Sequence, residues 1–357
     1  MISYVAGKAN INNILCNYTF FDSNATARTE MLEKRYRIVN GVEQKYKDSD
    51  QSGNLSKHTN YTATVLDYYG SQENVIIPEK INGFTVTAIA DSAFANKGVR
   101  SVSIPGTVTS VGKYAFENCK QLESIEIPSS VTEIGDYTFR NCELLKNVVF
   151  NANVEKIPFS AFSDCVSLET ITLSESVESI AAYAFQNCQT VKSFPFENIK
   201  EISTGSFQNS GLQEIVFSDL ITTIPMQAFM GCESLSRVVF NENINAIAFN
   251  AFRNDPNLVF GVWYDSFAYG YAIDKNIPYT LLDEVKLGDT SGDGSVNIND
   301  VTTIQRYLAE LETLEGIYLH AADANQDGTV DIADATVIQM YLAEYAMEYP
   351  IGEVMTQ

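Results

Sequence analysis

The feature that most constrains this chain is a spacing. A small residue followed by Phe recurs at Phe94, Phe116, Phe139, Phe162, Phe185, Phe207, Phe229 and Phe252, in steps of 22 or 23 residues. The same phrases return around it, most clearly in "SIEIPSSVTEIGDYTF", where the apolar positions are Ile125, Ile127, Val131, Ile134 and Phe139, with Leu122 just before. A period of this length is the mark of a solenoid. The alternation Ile125-Glu126-Ile127 predicts a short strand, and Pro105, Pro128 and Ser174 mark the turns that follow such strands. One unit cannot bury its own apolar side, whereas stacked units cover one another.

A stack of this kind leaves strand edges at its two ends, so it needs caps. Residues 61–90 alternate like strands without the full repeat and suit an N-terminal cap. Residues 258–282 lose the repeat and gather Trp263, Tyr264, Phe267, Tyr269 and Tyr271, which reads as the core of a C-terminal cap or as rings that stack on sugars. Pro195 stands where a strand residue is expected and predicts a bent or bulged ladder. Cys119, Cys142, Cys165 and Cys188 follow at steps of 23, Ser210 takes the next place, and Cys232 comes after it. Ladder side chains point the same way, so these read as a column of buried free thiols. The Asn or Asp before each (Asn118, Asn141, Asp164, Asn187) suits a side chain that satisfies backbone groups at a turn, repeated as a ladder. Cys16 lies off the column and has no assigned role.

These phrases resemble the BspA-like subclass of leucine-rich repeats, over roughly residues 60–283. The resemblance implies a β-rich horseshoe-like solenoid of the kind found in surface and secreted bacterial proteins.

A second pattern lies beyond it. "DTSGDGSVNIND" from Asp289 to Asp300 returns as "DANQDGTVDIAD" from Asp323 to Asp334. The chain carries a net charge of -22, and residues 286–357 hold thirteen acidic residues against only Lys286 and Arg306. That balance argues against nucleic acid or an anionic membrane as partner, and no run of about 18 apolar residues reads as a membrane span. Oxygen ligands in the first loop stand at positions 1, 3, 5, 7, 9 and 12: Asp289, Ser291, Asp293, Ser295, Asn297 and Asp300. Their counterparts in the second are Asp323, Asn325, Asp327, Thr329, Asp331 and Asp334. Calcium takes six to eight oxygens in a flexible cage, a Gly at position 6 (Gly294, Gly328) allows the sharp turn, and position 7 offers a backbone carbonyl. Two Ca2+ ions are therefore expected, one per loop. Val296 and Val330 at position 8 read as the apolar anchors that pair the loops.

The segment before Asp289 leaves no room for a helix, whereas Val301, Ile304, Leu308 and Leu311 after it recur at helical spacing. Each unit thus reads as loop then helix, with the position-12 acid at the helix N-terminus, where negative charge is favoured. This pattern resembles a type I dockerin, over roughly residues 286–350. The resemblance implies calcium-dependent docking onto a cohesin module of a scaffoldin, in an extracellular, cell-surface cellulosome. It places partner-reading residues at Ile298, Asn299, Gln305 and Arg306 in one copy and at Ile332, Ala333, Gln339 and Met340 in the other. Both helices read Ile-Gln-x-Tyr-Leu-Ala-Glu, which would let either face dock; Asn299 against Ala333 and Arg306 against Met340 break that symmetry.

The domain reading is therefore 1–58 as an N-terminal segment, 59–283 as the capped solenoid, and 286–357 as the dockerin. Within the first, "ARTEMLEKRYRIV" reads as a short helix and residues 45–60 as a loop or linker. The first twenty residues show no basic n-region before an apolar run, which reads as no signal peptide or as a mature or trimmed chain. The solenoid is expected to present a protein- or glycan-binding surface and not to be an enzyme. No insertion builds a cleft, His58 and His320 are the two histidines, and no nucleophile motif is present. The alternatives are a dockerin-borne carbohydrate-active enzyme, a protein inhibitor or a spacer.

Overall fold

The computed structural model describes residues 14–20, 61–81, 84–283 and 285–355. The helix read over 27–39, the linker read over 45–60 and His58 lie outside them. Two compact units make up the chain: Met1–Ser236 with Ala246–Asn257, and Arg237–Asn245 with Leu258–Gln357.

The first unit is a parallel β-solenoid. Each turn contributes a strand of three or four residues to one ladder, Asn74–Ile76, Ser101–Ser103, Ser124–Ile127, Asn147–Phe150 and Thr170–Leu173. The register is in phase, with Val148 opposite both Ile125 and Ile171, and all three are buried. A second ladder uses two-residue strands such as Ser110–Val111 and Glu133–Ile134, which pair with each other across consecutive turns. Strands this short have no stability alone. They persist because every turn is hydrogen-bonded to its neighbour outside the strands as well. The amides of Phe116, Phe139 and Phe162 donate to Thr138, Ala161 and Ala184 of the following turn, each at 2.8 Å.

The repeating phenylalanines form one column through the core. From Phe94 to Phe252, successive ring centroids are 5.1 to 5.5 Å apart and the planes lie within 12° of parallel. Tyr68 of the N-terminal cap stacks on Phe94 at 5.5 Å and begins the column. Ring pairing adds about 0.5–1.5 kcal/mol per contact, while truncating a buried Phe to Ala costs about 3–5 kcal/mol. Burial therefore stabilises the column more than stacking does, and ring geometry fixes the register.

Two more columns run beside it. The thiols of Cys119, Cys142, Cys165, Cys188 and Cys232 are buried and free. Each donates to the carbonyl of the preceding turn's Phe, at 3.0 Å for Cys119 and 3.2 Å for the others. Ser210 fills the gap and lies 3.3 Å from the Cys232 sulfur. The residues before the cysteines correct one expectation. Asn118, Asn141, Asp164 and Asn187 do sit in the left-handed region, at φ 56 to 62°. Their side chains, however, reach along the solenoid to the neighbouring turn. Asn118 donates to Asn96 at 3.1 Å, Asn187 to Asp164 at 2.7 Å and Asn209 to Asn187 at 2.9 Å. The ladder ends at Gly231, where a Cβ would lie 2.3 Å from the Asn209 amide oxygen.

Near Pro195 the effect exceeds a bend. Residues 191–196 form no strand, and Thr170–Leu173 ends its ladder. Phe194 and Phe196 turn into the core, Phe194 packing on Phe207 at 4.8 Å, edge to face. At the N-terminal end, Ile14–Phe20 pairs antiparallel with Tyr61–Tyr68, so part of the segment left unassigned by sequence extends the cap.

The second unit holds the strands Arg237–Val239, Val259–Val262 and Tyr279–Leu281, paired in parallel. Helix α1 (Phe267–Lys275) lies between the last two and buries Ala268 and Ala272. Ser266 caps it by accepting from the Tyr269 amide, and Asn276 ends it at φ 53°. Trp263, Tyr264, Tyr269 and Tyr271 are half-buried and Phe267 is exposed, so the aromatic cluster is not a closed core. The unit also contains α2 (Ile298–Leu308), α3 (Gly316–Ala322) and α4 (Ile332–Leu342).

Burial pushes the thiols of Cys119, Cys142 and Cys188 up, that of Cys119 to about 12. A pulse of thiol-reactive disulfide reagent is therefore expected to leave Cys119, Cys142, Cys165 and Cys188 unmodified in the native protein. All four should label once denaturant unfolds it, as read by peptide mass mapping; native-state labelling of any of them would contradict the column.

Candidate metal centre and docking face

Each acidic loop wraps around its first carboxylate. Asp289 accepts from the amides of Gly292 (2.9 Å), Asp293 (3.2 Å) and Gly294 (2.9 Å). Asp323 accepts from Asp327 (3.0 Å) and Gly328 (2.8 Å). The sharp turn requires left-handed backbone at position 6, and Gly294 and Gly328 stand at φ 84° and 91°. Position 12 ties each loop to its helix. Asp300 accepts from Ser291 (2.8 Å) and Asn297 (2.7 Å), and Asp334 from Asn325 (3.0 Å) and Asp331 (2.8 Å). Asn297 and Asp331 are the N-caps of α2 and α4, and Asp300 and Asp334 complete capping boxes at the third helical position. The middle positions interlock: Asn297 donates to Asp293 at 2.9 Å, and Asn325 and Thr329 donate to Asp327 at 2.8 and 2.7 Å. Ser291 and Ser295 are exposed.

Asp289, Asp300 and Asp334 are almost wholly buried. Among the described residues no Lys or Arg forms an ion pair with a loop carboxylate; Lys286 spends its ammonium on the Gly294 carbonyl at 2.8 Å. Burial, with Asp323 and Asp331 nearby, holds the Asp334 carboxyl above its usual range despite its two amide donors. Asp327 is held below its usual range by Thr329 and Asn325. Buried, like-charged carboxylates without a cation are costly. Among the described residues no three His, Cys, Asp or Glu stand together in a metal-holding group. The loops' donor set mixes carboxylates with hydroxyl and amide groups, and Asp289 and Asp323 turn their carboxylates toward main-chain amides. An all-oxygen set around unpaired buried charge fits a hard divalent cation.

The loops rest on a small core. Val301 and Ile304 of α2, Ala321 and Ala322 of α3, and Ala335 and Ile338 of α4 pack with Leu287, Ile351 and Met355. Val296 and Val330 are half-buried against this cluster, as anchors should be. Leu308 and Leu311 do not join it: α2 stops at Leu308, Glu310 turns left-handed at φ 57°, and Leu311 is left 72% exposed. Each loop is followed by its helix, as read; α3, which no spacing marked, precedes the second loop and gives it a helix on both sides. The two ends of the segment meet: Leu287 donates to Glu353 at 3.0 Å, Gly352 to Leu287 at 2.9 Å and Met355 to Val285 at 3.1 Å.

Ile298 and Ile332 open α2 and α4 and are both 61% exposed. Asn299, Gln305, Arg306, Ala333, Gln339 and Met340 are exposed as well, so every residue read as partner-facing lies at the surface. Arg306 is held by Glu312 at 3.0 Å.

Residues 65–192 and 155–266 match the BspA type leucine rich repeat region in six copies, more than half of the chain. The chain belongs to the BspA-type leucine-rich-repeat family. Residues 287–343 match the dockerin type I domain, so this leucine-rich-repeat chain carries a dockerin at its C-terminal side. Neither matched domain is a catalytic one, and type I dockerins are calcium-binding modules of cellulosome-type assembly. Among solved structures, the chain is similar to a leucine rich repeat protein of T. pallidum at 23% identity and TM-score 0.44, covering 60% of this chain and 87% of that one. It is similar to a leucine-rich repeat protein from Bacteroides ovatus at 23% identity and TM-score 0.39, over 64% and 74%. The pneumococcal vaccine antigen PcpA is similar at 16% identity and TM-score 0.33, over 62% and 79%. No curated protein matches the chain. Among the described residues no helix is long and apolar enough to cross a membrane.

A Cβ added at Gly294 or Gly328 meets nothing within 4 Å, so the backbone alone sets the cost of substitution there. Gly294→Ala and Gly328→Ala are each expected to destabilise their loop by about 1–2 kcal/mol. Faster amide hydrogen exchange over 289–300 or 323–334 would register it; unchanged exchange would refute the strained turn.

Proposed function

We propose that this chain is a non-catalytic component of an extracellular, cell-surface cellulosome, tethered through calcium-dependent docking of residues 286–357 onto a cohesin module of a scaffoldin. The reading is carried by one observation: two in-phase oxygen loops, each closed by a buried Asp at the start of a helix whose opposite face is exposed.

Two Ca2+ ions are assigned, one per loop. Asp289, Ser291, Asp293, Ser295, Asn297 and Asp300 would hold the first, and Asp323, Asn325, Asp327, Thr329, Asp331 and Asp334 the second. Each ion supplies positive charge to carboxylates that have no other counter-ion among the described residues, and so favours the closed loop. The residues themselves do the rest. Asp300 and Asp334 couple each loop to its helix through the capping box, so ordering a loop orders the start of a docking helix. Ile298, Asn299, Gln305 and Arg306, with Ile332, Ala333, Gln339 and Met340, form the cohesin-facing surface. The paired isoleucines give that surface an apolar contact at the head of each helix, and Arg306 against Met340 makes its two ends chemically unequal.

The solenoid is the part displayed. Its long, regular flank is suited to a protein or glycan ligand, and the half-buried rings of Trp263, Tyr264, Tyr269 and Tyr271 offer one apolar place for it.

Calcium titration of the full chain is expected to give two bound ions, falling to one in Asp289→Ala or Asp323→Ala. Cohesin capture should be lost in EDTA and restored by calcium, and the double variant should bind more than about tenfold more weakly. Removing calcium should also reduce the far-ultraviolet helical signal, because the core under the loops is small and rich in alanine. Full cohesin binding in EDTA would sink this reading.

A further inference from the structure

We propose that Asp255 is a protonated last rung of the thiol column, and that its ionisation at alkaline pH loosens the final turn of the first unit.

Asp255 follows Cys232 by one repeat of 23 residues and stands where the next cysteine would be. In the rungs before it, the thiol is a donor whose acceptor is the Phe carbonyl one turn back. For Asp255 the equivalent acceptor is the Phe229 carbonyl. A carboxylate has no proton to give, whereas a carboxylic acid does. Both Asp255 oxygens are buried, and neither has a hydrogen-bond partner. The amides that approach them are already committed, Gly231 to the Arg253 carbonyl at 2.9 Å and Cys232 to the Phe229 carbonyl at 3.2 Å. They lower the carboxyl only partway, and burial pushes it up to about 7. The titratable group facing it from the turn below is the Cys232 thiol, itself raised to about 12 chiefly by burial, with Asp255 adding to the rise. Arg253, on the same turn, is exposed. An ionised Asp255 would thus be an uncompensated buried charge, and the neutral acid is the form this turn accepts.

The direction of the pH effect follows from linkage. The folded-state pKa lies above that of the unfolded chain, so the native protein holds the extra proton between the two values. The stability linked to Asp255 is complete at acid pH, falls as pH rises toward 7, and is lost above it. This is opposite to the effect of a salt-bridged carboxylate. Deprotonation releases the proton to solvent and leaves charge between the turns that cover Cys232, so that thiol reports the opening.

The test is the labelling rate of Cys232 in the full chain by a disulfide reagent active at both acid and alkaline pH, located by peptide mass mapping. Asp255→Asn keeps a donor without the titration, and the rate is read as wild type over variant. The ratio is expected to rise more than about tenfold between pH about 5.5 and pH about 8.5. A ratio that does not change between the two overturns the proposal. Should Asp255→Asn label at Cys119, and so prove misfolded, Asp255→Cys, which restores the column's own chemistry, takes its place in the same ratio.

Discussion

Ring-on-ring contact between successive turns is the constraint on which the solenoid depends. No strand in its ladders exceeds four residues beyond the N-terminal cap, and several have only two. Such segments hold their place because each turn delivers one Phe to the same point over its neighbour. The column from Phe94 to Phe252 therefore acts as a ruler. Strand register, the thiol-to-carbonyl bonds and the amide ladder follow from it, since each is a fixed number of residues away from its ring. Where the turn changes, near Pro195, the strand is lost but the ring is kept: Phe207 still stacks on Phe185 at 5.2 Å. Core packing outranks strand pairing at that point.

Much of this is legible from sequence because a repeat averages away local ambiguity. Spacing alone assigns Ile125 and Ile127 to a short strand of a repeating unit, and the cysteines to a buried free column. What spacing misses shares a cause. The Asx residues read as a ladder that satisfies backbone groups, yet their side chains bond one another between turns, which a single unit does not reveal. Helix α1 is not legible because its segment, FAYGYAIDK, mixes apolar and small residues without a clear helical face, and its position is set by Ala268 and Ala272 packing beneath it. Helix α3 is seven residues long, too short for a periodic signal. Leu311 has the right spacing for α2 but lies past the left-handed turn that ends it.

The acidic segment is legible for a different reason. Its loops are specified position by position, by glycine at the left-handed point and by carboxylates that collect amides three to five residues ahead. Local chemistry of that kind needs no tertiary context. The exposed residues on α2 and α4 carry less information in themselves, since Gln305 or Gln339 on a helix surface looks the same whether or not a partner reads it. The two parts of the chain also hold together by different means, one through repeated apolar contact and the other through loops whose carboxylates collect main-chain amides over a small core.

The ruler has a consequence for how such a chain changes over generations. Because every turn offers its neighbours the same ring, carbonyl and amide, removing or duplicating one complete turn presents matching surfaces on either side of the join. Deleting three or four residues within a turn would throw every column out of phase at once. Length in this molecule is thus quantised: it can grow or shrink by whole turns, and the distance between its two ends is a variable that recombination can tune while the cross-section stays the same.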